Sequence, residues 1–324
     1  MSSASPFITL NTGAQMPTVG MGLWKISKDT VADQVYEAIK LGYRLFDSAS
    51  DYGNEAEAGQ GISRAIADQL VTRQELFITS KLWCTHHQRQ HVKPALQRTL
   101  QDLNLDYVDL YLIHFPIALK HVPFETKYPA GWSLEENGPV ISENTPYQET
   151  WEGMEGLVME GLAKNIGVSN LPGAMIYDVL TYAKIRPAVL QIELHPYLVR
   201  KELVDLAHKE GMAVTAYSSF GDASYREIEL VPEDQQFVPL LENKTVGEIA
   251  QRLGRSPAQV LLRWAVQRGC AVIPKSSSPK RLLENKDLFS FELSFEDMDA
   301  IARLDRKLIF NNPATYAKRA IWAS

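Results

Sequence analysis

Short apolar runs alternate with longer segments of helical periodicity along almost the whole chain. The runs at 44–46, 76–80 and 108–113 read as strands buried on both faces. Val31, Val35, Ala38 and Ile39 recur at helical spacing, and Gly42 closes that pattern. The unit then repeats: a helical pattern at 55–69 precedes a strand at 76–81, and one at 92–103 precedes a strand at 108–114. Further strands are expected at 19–22, 163–168, 189–193, 213–217 and 271–274, behind an opening segment at 7–10 and the turn Asn11-Thr12-Gly13. Eight strands separated by helices favour an α/β fold closed as an (α/β)8 TIM barrel over an open sheet.

Two connections are too long for ordinary βα loops. One covers 115–145 and is rich in Pro, Gly and aromatic residues; the other covers 220–239 and carries Asp222, Glu227, Glu229, Glu233 and Asp234. Long loops on the C-terminal face of such a barrel usually serve function. The stretch 304–324 has little periodicity. No linker or low-complexity segment interrupts the chain, so one domain over 1–324 is expected.

Composition excludes several classes. A hydrophobic fraction of 45% and a charged fraction of 22% are ordinary for a globular protein. The net charge is −6, with no block of like charges to suggest a nucleic-acid or membrane partner. Cys84 and Cys270 are too few for a disulfide framework, the first residues lack a signal-peptide pattern, and no apolar run could span a bilayer. A cytoplasmic enzyme with a small-molecule substrate, monomeric or homodimeric, is the expectation.

Candidate chemistry sits at the strand ends. Asp47, Tyr52, Lys81 and His114 lie at or just beyond the ends of three successive expected strands, where a barrel gathers its active site. A reaction that leaves negative charge on a substrate oxygen needs a proton donor there, and Tyr52 is the candidate. An ammonium about 4 Å away would favour the phenolate by about 4 kcal/mol at an effective dielectric of ~20. That corresponds to a pKa lower by about 3, before burial opposes it. Asp47 would keep Lys81 charged, and His114 would hold the carbonyl oxygen as a neutral donor. Taken singly, each residue has a structural reading: Asp47 as a helix cap, His114 as a core histidine. A barrel metallohydrolase built on His86, His87, His91 or His114 is a weaker alternative, since adjacent histidines rarely point at one metal; no metal is expected.

The chain shows no convincing dinucleotide-binding fingerprint. Gly59-Gln60-Gly61 lies inside a helical pattern with Arg64 where a third Gly belongs, and Gly20-Met21-Gly22 ends at Lys25. The run Lys275-Ser276-Ser277-Ser278-Pro279-Lys280-Arg281 instead follows the last strand and opens a helix, joining cations, hydroxyls and free N–H groups.

The segment Phe46-Asp47-Ser48-Ala49-Ser50-Asp51-Tyr52-Gly53-Asn54-Glu55 resembles the signature of the aldo-keto reductases. Ser80-Lys81-Leu82-Trp83, Leu112-Ile113-His114-Phe115-Pro116, Ile166-Gly167-Val168-Ser169-Asn170 and Ile273-Pro274-Lys275-Ser276 match it in order and spacing. Within that family the chain is similar to fungal D-xylose (aldose) reductases, notably at Ala216-Tyr217-Ser218-Ser219-Phe220-Gly221. The resemblance implies NAD(P)H-dependent reduction of an aldose, D-xylose or L-arabinose to the alditol, with Asp47, Tyr52, Lys81 and His114 catalytic and the tail lying over the barrel mouth. It also implies that NADPH is preferred and NADH possible. Lys275, Ser276 and Arg281 would hold the 2′-phosphate, Glu284 and Asn285 the adenine, and Ser169, Asn170 and Gln191 the carboxamide. Tyr217 would stack on the nicotinamide, Ser218 and Ser219 would approach the pyrophosphate, and Glu227 and Ser277 the ribose. Trp24, Asp51, His114, Phe115, Phe220 and Asn311 would line the sugar pocket.

The sequence departs from the family at Ser277, where Asn is usual, at Ile309 for Arg, at Asn312 for Asp and at Leu194 for His. A broad-specificity aldehyde or uronic-acid reductase, or a non-catalytic redox sensor on the same barrel, are the alternatives.

Overall fold

The computed structural model describes residues 5–135, 138–228, 230–231 and 237–322. An antiparallel hairpin of β1 (Phe7–Thr9) and β2 (Gln15–Pro17) precedes eight parallel strands. These are β3 (Gly20–Gly22), β4 (Leu45–Asp47), β5 (Phe77–Leu82), β6 (Val108–Ile113), β7 (Ala163–Ser169), β8 (Val189–Glu193), β9 (Ala213–Tyr217) and β10 (Cys270–Val272), paired in sequence order. A parallel bridge between Val19 and Val272, with Val272 N donating to Thr18 O at 2.8 Å, joins the first strand to the last. The result is the expected (α/β)8 barrel.

The crossovers carry α1 (Lys28–Lys40), α2 (Glu55–Ala67), α3 (Arg89–Leu103), α4 (Tyr147–Met159), α5 (Gly173–Tyr182), α6 (Lys201–Lys209), α7 (Lys244–Leu253) and α8 (Pro257–Gln267). After β10 come α9 (Pro279–Lys286), α10 (Phe295–Ala302) and the single turn α11 (Pro313–Tyr316). Several boundaries differ from the sequence reading by one to three residues. The third helix begins at Arg89 instead of 92, because its first turn, Arg89-Gln90-His91, is polar and carries no apolar period. The last strand ends at Val272 instead of 274.

Side-chain alternation explains where chemistry appears. Leu45, Phe77, Leu110, Leu112, Val189 and Ala213 form a cluster with Leu10 and Met16 beneath the barrel. The intervening residues Phe46, Ile78, Tyr111, Ile113, Leu190 and Val214 join the larger cluster between strands and helices. Counting two residues up each inward row, Leu45 leads to Asp47, Phe77 to Thr79 and Lys81, Val189 to Gln191, and Ala213 to Thr215 and Tyr217. Period two thus delivers the polar residues to one rim.

The tail crosses that rim. Arg306 N and Leu308 N donate to Tyr197 O at 3.1 and 3.0 Å, and Phe310 N and Asn311 N donate to the two carboxylate oxygens of buried Glu193 at 2.9 and 3.0 Å. Farther on, Arg319 donates to Val140 O of the 115–145 loop, tying tail to loop. In the second long loop, Gly221–Ser224 and Arg226–Ile228 form short 3-10 turns, while Glu229, Glu233 and Asp234 lie outside the described residues.

Candidate active site

Lys81 organises the barrel rim. Its side chain is fully buried, and its Nζ donates to Asp47 Oδ1 at 2.5 Å, Ser48 O at 2.7 Å and Tyr52 Oη at 2.9 Å. Three acceptors match the three protons of an ammonium. Tyr52 receives from Lys81, so its own proton is left to point elsewhere. Asp47 is held on its other oxygen by Gln191 Nε2 at 2.7 Å, and therefore caps no helix.

Tyr52 ends a 3-10 turn, Ser50–Tyr52, closed by Tyr52 N to Ala49 O at 3.0 Å and left through Gly53 at φ 70°. Asn54 pins that turn to the neighbouring loop, donating through Nδ2 to Leu23 O and Ile26 O at 3.0 and 2.9 Å. His114 follows β6 directly, its N donating to Leu82 O at 3.1 Å and its ring lying edge-on to Trp83 with centroids 5.3 Å apart.

Burial dominates the electrostatics. It pushes the Tyr52 phenol well above its ordinary range, and the charges of Asp47, Asp51 and Glu55 push the same way. The lowering expected from Lys81 is thus overturned, first by burial and then by Asp47, which lies 2.5 Å from the ammonium and offsets it. Burial likewise lowers Lys81, opposed by Asp47. Burial, then the Lys81 charge, drives His114 far below the usual imidazole range, so its ring is neutral. Asp51 is lifted by burial to about 7, with Lys127 opposing.

Above these groups opens a cavity of about 920 Å³. Asp47, Tyr52 and His114 line it, with Lys81 sealed behind. So do Trp24, Asp51, Phe115, Phe220 and Asn311 from the sugar set and, from the cofactor set, Ser169, Asn170, Gln191, Tyr217, Ser218, Ser219, Glu227, Lys275, Ser276, Ser277, Arg281, Glu284 and Asn285. No residue of either set falls outside it. One wall is the barrel rim; the far end is the N-terminus of α9, where Ser278 accepts from Arg281 N at 3.5 Å.

The model of the Aldo/keto reductase family matches residues 13–306. The chain belongs to that family. It is 53% identical to a probable NAD(P)H-dependent D-xylose reductase of Aspergillus terreus, over 97% of this chain and 98% of that one. It is 52% identical to an NADPH-dependent D-xylose reductase of Meyerozyma guilliermondii, over 96% and 98%. The fold is similar to that of a Bombyx mori aldo-keto reductase crystallised with NADP, at a TM-score of 0.85 and 37% identity over 100% of both chains.

In this family member the cavity residues retain bonding capacity for a dinucleotide. Among the described residues, Gln191 Oε1 accepts no hydrogen bond, Ser169 accepts from Asn170 Nδ2 at 3.2 Å and donates to no other group, and Arg281 makes no ion pair. Lys275 and Glu227 face each other at 3.9 Å, and Glu227 also accepts from Lys25 at 2.8 Å, so a phosphate at Lys275 competes with a carboxylate. Asn170 is more committed than its expected role suggests: Nδ2 donates to His114 O at 2.9 Å and Oδ1 accepts from Tyr217 Oη at 2.6 Å.

The glycine pair at 59 and 61 is a packing device. A Cβ at Gly59 would lie 2.6 Å from the Leu103 backbone, and one at Gly61 2.3 Å from Ala32 O. These glycines let α2 approach its neighbours and do not line the cavity. The histidines of the metal alternative form no such site: among the described residues no group of three or more His, Cys, Asp or Glu is placed to hold a metal ion. No described helix is long and apolar enough to cross a membrane.

Among the cavity residues, Trp132 and Tyr316 carried no sequence signal of their own, and Trp83 only its place in a matched motif. Trp83, Trp132 and Tyr316 build an aromatic wall, with Trp83 and Trp132 centroids 5.0 Å apart and Trp132 and Tyr316 5.5 Å apart. The length of the 115–145 loop pointed to function but singled out no residue, and the tail lacks periodicity.

Proposed function

We propose that this chain is an NADPH-dependent aldose reductase that converts D-xylose or L-arabinose to the alditol, with NADH as a weaker alternative cofactor. The names of its relatives, D-xylose reductases dependent on NAD(P)H or NADPH, support the substrate and cofactor class. The observation that carries the chemistry is the three-way hold on Lys81, which donates to the Tyr52 oxygen and leaves the phenol proton free for a substrate.

A bound nicotinamide supplies the hydride. Ser169 and Gln191 would hold its carboxamide, Tyr217 would lie beside its ring, and Lys275, Ser276 and Arg281 would hold the 2′-phosphate, with Glu284 and Asn285 at the adenine. Neutral His114 donates to the substrate carbonyl oxygen and orients it. Tyr52 passes its proton to that oxygen as charge develops, and Lys81 stabilises the phenolate left behind. Asp47 keeps Lys81 charged throughout. Trp24, Asp51, Phe115, Phe220 and Asn311 surround the sugar.

A second reading, a broad-specificity aldehyde reductase, draws on the aromatic wall of Trp83, Phe115 and Trp132, which suits apolar aldehydes. Cofactor oxidation with pentoses, hexoses, uronic acids and plain aldehydes tests both. D-Xylose or L-arabinose turned over with NADPH supports the first reading, and turnover confined to plain aldehydes or uronic acids replaces it with the second. No turnover of any carbonyl compound refutes both and leaves the redox-sensor alternative.

A further inference from the structure

Hydrogen-bond directions across the cavity can be read outward from one backbone carbonyl. His114 O can only accept, so Asn170 presents Nδ2 to it at 2.9 Å, and the Asn170 Oδ1 must face Tyr217. Tyr217 then donates its single proton to Asn170 Oδ1 at 2.6 Å. Its oxygen is left as an acceptor and receives Asn311 Nδ2 at 3.1 Å, which turns the Asn311 carbonyl to Tyr316. Tyr316 Oη donates to that carbonyl at 2.7 Å. Every direction in the series Tyr316, Asn311, Tyr217, Asn170 is thereby fixed.

The outer end of the series has a chemical consequence. The Tyr316 proton is committed to Asn311, while its oxygen retains lone pairs beside the cavity that both residues line. Burial holds the phenol protonated, raising it far beyond its ordinary range. Its ring is held in place against Trp132 at 5.5 Å, and the Asn311 backbone is anchored by Glu193 at 3.0 Å. The site therefore contains a fixed, neutral acceptor that can receive a hydroxyl proton and has none to give.

We propose that Tyr316 determines substrate specificity: its phenolic oxygen accepts a hydrogen bond from a substrate hydroxyl and selects hydroxylated aldehydes over plain ones. The inference rests on the aldose-reductase reading and adds a tail residue to it. Plain aldehydes leave this acceptor unsatisfied, and discrimination follows from that loss.

The test compares kcat/KM for D-xylose with that for pentanal, a five-carbon pair differing in hydroxyls, in wild type and in Tyr316→Phe, which keeps the ring. The xylose-to-pentanal ratio is expected to fall by about five- to ten-fold, the size of one neutral hydrogen bond, with the loss in the KM for xylose. Asn311→Asp, which sets a carboxylate against the committed oxygen of Tyr217, should lower the ratio as well. A ratio preserved within two-fold in Tyr316→Phe, an equal fall in kcat on both substrates, or a loss confined to Asn311→Asp overturns the role of Tyr316 while leaving the reading intact. A wild-type protein inactive on D-xylose refutes the reading and the inference with it.

Discussion

The Lys81 ammonium donates to the Tyr52 phenolic oxygen across 2.9 Å, with its two remaining protons on Asp47 and the Ser48 carbonyl. This geometry gives lysine two roles: it orients the phenol proton and sits where the phenolate charge would form. Burial keeps the phenol protonated, so at neutral pH the Tyr52 side chain is in its acid form.

Lys81→Met should lower turnover at least about 100-fold, because the phenolate loses its nearest cation. It also leaves Asp47 buried and unpaired, at a cost of about 3–5 kcal/mol in denaturant unfolding. Adding Asp47→Asn should restore much of that stability without restoring activity. A double variant that regains turnover would show that Lys81 serves only to neutralise Asp47.

Glu55 is buried, accepting from Ser80 Oγ at 2.6 Å and Thr99 Oγ1 at 2.9 Å, and burial lifts its carboxyl from 4.5 to about 7. A carboxyl raised in the folded state contributes stability that is present below 4.5 and lost as pH rises to about 7. At 1.36 kcal/mol per pH unit the full difference is roughly 3 kcal/mol. Glu55→Gln should therefore gain stability relative to wild type between about pH 5 and pH 8. A stability difference that does not change over that interval would show that Glu55 is not held neutral.

Arg281→Ala should raise the KM for NADPH about ten-fold or more and leave that for NADH nearly unchanged, since only NADPH carries the 2′-phosphate. Equal effects on the two cofactors would show that Arg281 holds the loop or the adenine ring.

The barrel and its rim were legible because both follow from period. Buried parallel strands read as apolar runs, and a polar residue at the end of such a run, as at Asp47, Lys81 and His114, stands out. The balance at Tyr52 was not legible, since it depends on how completely the phenol is buried and on Asp51 and Glu55 beside it. Nor were Trp132 and Tyr316, whose positions come from irregular segments tied together by Arg319 and Val140, a contact no local pattern encodes. The commitment of both Asn170 side-chain atoms was equally hidden, because its partners are the residue after β6 and the last residue of β9.

The proposed mechanism turns on Tyr52 delivering the proton. Steady-state turnover of D-xylose with NADPH by Tyr52→Phe, set beside NADPH binding measured by fluorescence titration, tests it most directly. The expected result is a loss of at least about 100-fold in kcat with the NADPH dissociation constant nearly unchanged. Wild-type turnover in Tyr52→Phe would contradict it.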